Sequence, residues 1–197
     1  FALLTEAVAQ QKEVQETFLH ILRQKGKVGR ILRTMHETGV LGRMVPEFAP
    51  LTCLVQHEFF HRYTADEHTL VCLEQLDAML GSKEPDLRKY AELYAKVEVP
   101  EILALAVLLH DTGKAELTRN HEEVGAANAV AVARRFGFWG RELQLMTFLV
   151  DHHMTLGAFA RKNLDEPATI RDLARIVRDQ ERLDLLMLIS SADVRAV

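Results

Sequence analysis

Pro100-Glu101-Ile102-Leu103-Ala104-Leu105-Ala106-Val107-Leu108-Leu109-His110-Asp111 is the stretch on which the fold turns. Proline suits a first helical position, where its missing amide would have lacked a partner anyway. Behind it Leu103, Ala106, Val107 and His110 fall three and four apart, the spacing of one helical face. The aliphatic run Ile102 to Leu109 has eight residues, far short of the roughly 20 that span a bilayer. The segment therefore reads as a buried helix whose apolar face ends on His110, followed at once by Asp111.

The same period extends outward in both directions. Ala7, Val14, Phe18 and Leu22 predict a helix from about Thr5 to Gln24, broken by the Gly26 to Gly29 stretch; a second follows near Val28 to Thr38 and stops at Gly39. Residues 42–63 carry Pro46 and Pro50 and read as a packed connector with one short helical turn. Thr64-Ala65-Asp66-Glu67 has the form of a capping box, and Leu70, Leu73, Leu76 and Leu80 continue a stripe until Gly81. Further helices are predicted over Asp86 to Val97, from an Asn120 cap through His121 to Phe136, from Trp139 into Val150, near Thr169 to Arg178, and from Gln180 to Arg195. Gly113 is expected to close the helix that begins at Pro100. No stretch shows the alternation of a strand, so the chain reads as all-α, with residues 1–50 as a helical lead-in and 51–197 as one domain.

Composition narrows the function. With 24 Lys+Arg against 28 Asp+Glu in 197 residues and no basic run, nucleic acid and an anionic membrane surface are poor candidates as main partners. The two cysteines, Cys53 and Cys72, have no CxxC spacing, which disfavours a disulfide scaffold or a thiolate zinc site and fits a reducing, cytoplasmic setting. A chain that begins at Phe1, with no basic and apolar leader, reads as a piece excised from a longer polypeptide.

Helical phase points three ionisable groups inward: His68 with Val71 and Cys72, His110 with Leu103 and Val107, and Asp193 with Leu185, Leu186 and Ile189. A buried carboxylate without a cation costs several kcal/mol. Lysine and arginine are scarce on these faces, whereas imidazoles are present, and neutral imidazole with carboxylate suits Zn, Fe, Mn or Ni better than an all-oxygen Ca site. Asp111 beside His110 makes four potential ligands, and His121 and His153 could serve a second ion, as in two-metal hydrolases. Plainer roles stand beside these: a first-turn cap for His121, an exposed bystander for His152, packing for His57 and His61, a small buried hydrophobe for Cys72, and a cation at a helix C-terminus for Lys114.

His68, then His110-Asp111, then Asp193 resembles the ordered H…HD…D pattern of the HD-domain metal-dependent phosphohydrolases. More narrowly, Val45-Pro46-Glu47-Phe48, Phe60-His61-Arg62-Tyr63-Thr64-Ala65-Asp66-Glu67-His68, His110-Asp111-Thr112-Gly113-Lys114 and His121-Glu122-Glu123-Val124-Gly125-Ala126 are similar to the central HD region of the bifunctional uridylyltransferase/uridylyl-removing enzymes of PII nitrogen signalling. The resemblance implies an HD-domain helical bundle that binds one or two divalent ions (Mn, Mg, Fe or Zn) through His68, His110, Asp111, His121, His153 and Asp193. Asp111, next to His110, is the candidate bridging ligand, and Lys114, one turn along, the candidate to offset charge on the phosphoryl oxygens. The implied reaction is hydrolysis of a uridylyl-tyrosine bond, with UMP leaving a uridylylated PII-like protein. The family's nucleotidyltransferase and ACT domains would flank this region in the parent chain. The loop 115–120 and Met154-Thr155-Leu156-Gly157 depart from the family pattern, which leaves open a phosphohydrolase of small nucleotides; a non-catalytic regulatory HD module is the rival reading from another class.

Overall fold

In a computed structural model, which describes residues 4–55, 63–115 and 121–197 and, for residues 121 and 122, the backbone alone, the described residues form helices and no strand. The helices are α1 (Glu6–Ala9), α2 (Lys12–Leu22), α3 (Val28–Glu37), α4 (Leu41–Met44), α5 (Ala65–Met79), α6 (Arg88–Lys96), α7 (Pro100–Leu109), α8 (His121–Arg135), α9 (Gly140–His152), α10 (Thr155–Ala160), α11 (Pro167–Val177) and α12 (Gln180–Arg195). Pro100 opens α7, and every residue from Ile102 to Leu109 is buried. A helix that is apolar all round belongs at the centre of a bundle, and α7 is packed on by α2, α5, α8, α9 and α12. One continuous core joins Phe18, Leu22 and Leu32 of the first fifty residues to Leu73, Leu105, Leu149 and Ile189.

Several boundaries differ from the expectation, each for a local reason. The first predicted helix is two helices, because Gln11 takes an extended backbone after Ala9. Glutamine does not break helices, so tertiary packing sets the joint: α1 lies on α4 and α2 on α7. The connector holds α4 and a 3-10 turn at Ala49–Leu51 rather than one turn. Thr64 is the N-cap of α5, yet its side chain makes no cap bond to the helix. Glu67, the other half of the expected capping box, is drawn off by Arg33, with Nη1 at 2.8 and 3.0 Å from its carboxylate oxygens; a charge-assisted pair outcompetes a backbone amide. The Pro100 helix ends at Leu109, not at Gly113. The His110 ring and the Thr112 hydroxyl bond the carbonyls of Val107 and Leu109 at the helix end, and residues 112–115 tighten into a 3-10 turn. The six-residue α10, with Gly157 inside it, carries too little periodicity to predict. Asn120 lies outside the described residues.

Candidate metal centre

Four helix ends meet at one place. His68 sits in the second turn of α5, His110 caps the C-terminus of α7, His153 caps that of α9, and Asp193 lies in the last turn of α12. Three of these are helix C-termini, where the helix dipole places partial negative charge and favours a cation.

His68 Nε2 is 2.9 Å from Asp193 Oδ1. His110 Nε2 lies 3.5 Å from Asp111 Oδ2 and 3.8 Å from Asp193 Oδ1. His153 Nε2 is 4.0 Å from Asp111 Oδ1, and its ring stands 5.1 Å from that of His110. Lys114 Nζ donates to Asp111 Oδ2 at 2.8 Å. His68, His110 and Asp111 are buried, while the side chains of Asp193 and Lys114 are 28% and 36% exposed, so the cluster opens to solvent on their side.

The histidine protons are placed by the backbone. His110 Nδ1 donates to Val107 O and His153 Nδ1 to Val150 O, both at 2.7 Å. A carbonyl only accepts, so each Nδ1 carries the hydrogen and each Nε2 turns a lone pair into the cluster. His110 Nε2 is fully buried and has no hydrogen-bond partner among the described residues. A lone pair facing two carboxylates is an arrangement that a shared cation satisfies, and imidazole with carboxylate is a donor set for a divalent transition metal.

Charge state agrees with that chemistry. Burial would raise the Asp111 carboxyl, but His110, Lys114 and His153 outweigh it and hold the group well below the usual carboxylate range. Asp193 is likewise lowered, burial being overcome by the His68 hydrogen bond and by His110. Burial, with His110 as neighbour, pushes His153 down and keeps it neutral. Cys72 Sγ lies 3.5 Å from His68 Nε2, and burial followed by the Asp193 and Asp111 charges pushes its thiol far up.

Of the residues expected at a site, the structure brings together His68, His110, Asp111, Lys114, His153 and Asp193. His152 points elsewhere, to Thr155 Oγ1 at 3.3 Å and the Phe148 ring. His57, His61 and the side chain of His121 lie outside the described residues. Sequence reasoning did not reach the supports. Ser190 Oγ donates to His153 O at 2.9 Å, pinning the end of α9 to α12. Asp66, on the first turn of α5, takes the Cys53 amide at 3.2 Å and stands 3.1 Å from His36 Nε2. The one signal for these was position, since Ser190 and Asp66 each lie within three residues of a cluster member.

The site and fold define an all-α protein with a histidine and carboxylate cluster among helix ends, and comparison with known proteins places it further. A family model described as the uridylyltransferase GlnD third domain matches residues 1–44. The chain is 38% identical over 197 residues to a bifunctional uridylyltransferase/uridylyl-removing enzyme of Phenylobacterium zucineum, covering 99% of this chain and 21% of that protein. Enzymes of the same name from Methylococcus capsulatus and Azotobacter vinelandii are 38% and 36% identical, each match covering 98% of this chain and 22% of that protein. Over nearly its whole length the chain is thus similar to one segment of bifunctional uridylyltransferase/uridylyl-removing enzymes. It spans about a fifth of the length of the relatives it matches.

Proposed function

We propose that this segment is the hydrolytic part of its family: a metal-dependent phosphodiesterase of HD type that removes UMP from a uridylylated PII-like protein. One observation carries the reading, the buried Nε2 of His110 turned without a partner among the described residues toward the carboxylates of Asp111 and Asp193. His68, His110, Asp111 and Asp193 would hold a divalent ion, with His121 and His153 available to a second. When bound, such an ion lowers the pKa of water to about 7 and polarises a phosphoryl oxygen.

The chain's own residues supply the rest. Asp111 is kept ionised by His110, Lys114 and His153, ready to bind a cation. Lys114, on the open side of the cluster, offsets negative charge that grows on the phosphoryl oxygens in the transition state. No side-chain nucleophile is required, and a tyrosine phenolate, with a pKa of about 10, leaves with little acid assistance. Burial of His68 and His110 excludes bulk water from the inner wall and strengthens every charge interaction there.

His110→Ala and Asp111→Ala are expected to abolish Mn-dependent hydrolysis of bis(p-nitrophenyl) phosphate and of a uridylylated PII-like protein, and to lower bound metal. Wild-type turnover in either variant overturns the assignment. Hydrolysis of free nucleotides with the uridylylated protein left intact would replace the proposed substrate by a small molecule.

A further inference from the structure

Cys72 stands outside the ligand set proposed above, and cysteine spacing spoke against a thiolate site. The geometry points the other way. Cys72 follows His68 by one turn of α5 on the same face, and one donor atom from each of His68, Cys72, His110 and Asp193 lies within 4.8 Å of all the others. Asp111 is absent from this quartet, its Oδ2 being bonded to Lys114 Nζ.

Tetrahedral zinc sets a thiolate sulfur at about 2.3 Å and an imidazole nitrogen at about 2.0–2.1 Å, so neighbouring ligands of such a centre stand about 3.3–3.6 Å apart. Cys72 Sγ and His68 Nε2 are 3.5 Å apart. The Asp193 Oδ1 separations of 2.9 Å to His68 and 3.8 Å to His110 bracket the same range. An independent feature aims into the same spot: the His110 side chain is 1% exposed, and its Nε2 has no partner among the described residues.

Resting on the metal-centre reading above, we propose that Cys72 gives this site a second, inhibitory mode, in which zinc is taken by His68, Cys72, His110 and Asp193 as a closed four-ligand centre. A soft thiolate selects zinc over manganese or magnesium, which gain little from sulfur and take the Asp111 carboxylate instead. Four protein ligands leave a zinc ion no position for water or for a phosphoryl oxygen, the mark of a structural rather than a catalytic site. The step is a proton exchange without redox: the S–H bond breaks, the Zn–S bond forms, and one proton passes to solvent.

Cobalt(II) reports the ligands directly. Added to the purified chain in a thiol-free reductant, it is expected to give a near-ultraviolet thiolate-to-cobalt charge-transfer band and strong tetrahedral visible bands. Cys72→Ala should bind cobalt without the charge-transfer band and release one proton fewer on zinc uptake. Its zinc affinity, measured by chelator competition, should fall by more than the roughly 10–100-fold that outer-sphere partners of a metal are worth. Cys53→Ala, which removes the exposed cysteine, should keep the band. Stoichiometric zinc should also stop hydrolysis by the manganese-loaded wild-type chain. Cobalt bound without the band, or equal zinc affinity in wild type and Cys72→Ala, overturns the proposal while the metal centre stands. Hydrolysis that continues with zinc bound overturns its inhibitory half. Failure of the wild-type chain to bind cobalt at all overturns the metal-centre reading itself.

Discussion

The orientation of two imidazoles controls the chemistry available here. Val107 O and Val150 O fix the Nδ1 hydrogens of His110 and His153, so their Nε2 lone pairs face the cluster before anything binds. In the proposed mechanism Lys114 acts through charge instead; it is salt-bridged to Asp111 at the open edge of the cluster. Lys114→Met is expected to reduce turnover by about a hundredfold, the scale for losing one transition-state charge partner, while metal content per chain is retained; unchanged turnover would remove Lys114 from the mechanism. His68, His110 and Asp193 were legible as a group because helical phase alone sets them among apolar neighbours. The Ser190 bond to His153 O and the approach of Cys72 to His68 were not, because each depends on distances of a few tenths of an ångström between side chains that phase places only to a face.

At the scale of elements, the site depends on where α5 is held. Arg33 of α3 clamps Glu67 and Glu74 of α5, with Nε at 2.6 Å from Glu74 Oε1. Gly29 lets the two helices touch, since a Cβ there would stand 2.6 Å from the backbone nitrogen of Glu74 and 2.8 Å from its Cα. Backbone cannot yield as a side-chain tip can, so Gly29→Ala should lower stability by about 3 kcal/mol in urea denaturation. A loss within error would contradict that close packing.

Asp77 ties the start of α3 to the same helix, accepting the amides of Gly26 at 2.8 Å and Gly29 at 2.7 Å. Its carboxyl is raised by burial despite those two bonds. A raised folded pKa means that the folded chain binds the proton more tightly. The contribution of this titration is therefore fully present below the unfolded value of about 3.9 and fades as pH rises through the folded one. Asp77→Ala should cost about 2 kcal/mol at neutral pH through its orphaned amides. The gap from wild type should widen as pH is lowered from 7 toward 4, and a gap that narrows on acidification would contradict the assignment. These ties join residues far apart along the chain, so the sequence shows that Arg33, Glu67 and Asp77 exist but not which of them meet which partner.

Across the whole molecule, one buried helix, α7, organises the rest and delivers His110 to the place where α9 and α12 also end. The all-α class was readable because apolar period, Pro100 and terminal glycines agree from segment to segment; Gly39 and Gly137 do follow α3 and α8 with positive φ. The break at Gln11 and the early end at Leu109 were not readable, because packing and side-chain hydrogen bonds decide them against propensity. The electrostatic consequence belongs to this scale as well: three helix C-termini and two carboxylates face one point, and the folded state is favoured by whatever cation occupies it.

Metal per chain is the most direct check. Wild-type protein loaded with manganese or zinc and freed of excess ion should retain at least about one equivalent by elemental analysis, as expected for a four-ligand site, and Asp193→Ala handled identically should fall to background. Equal metal content in the two proteins, or none in the wild type, would contradict the account.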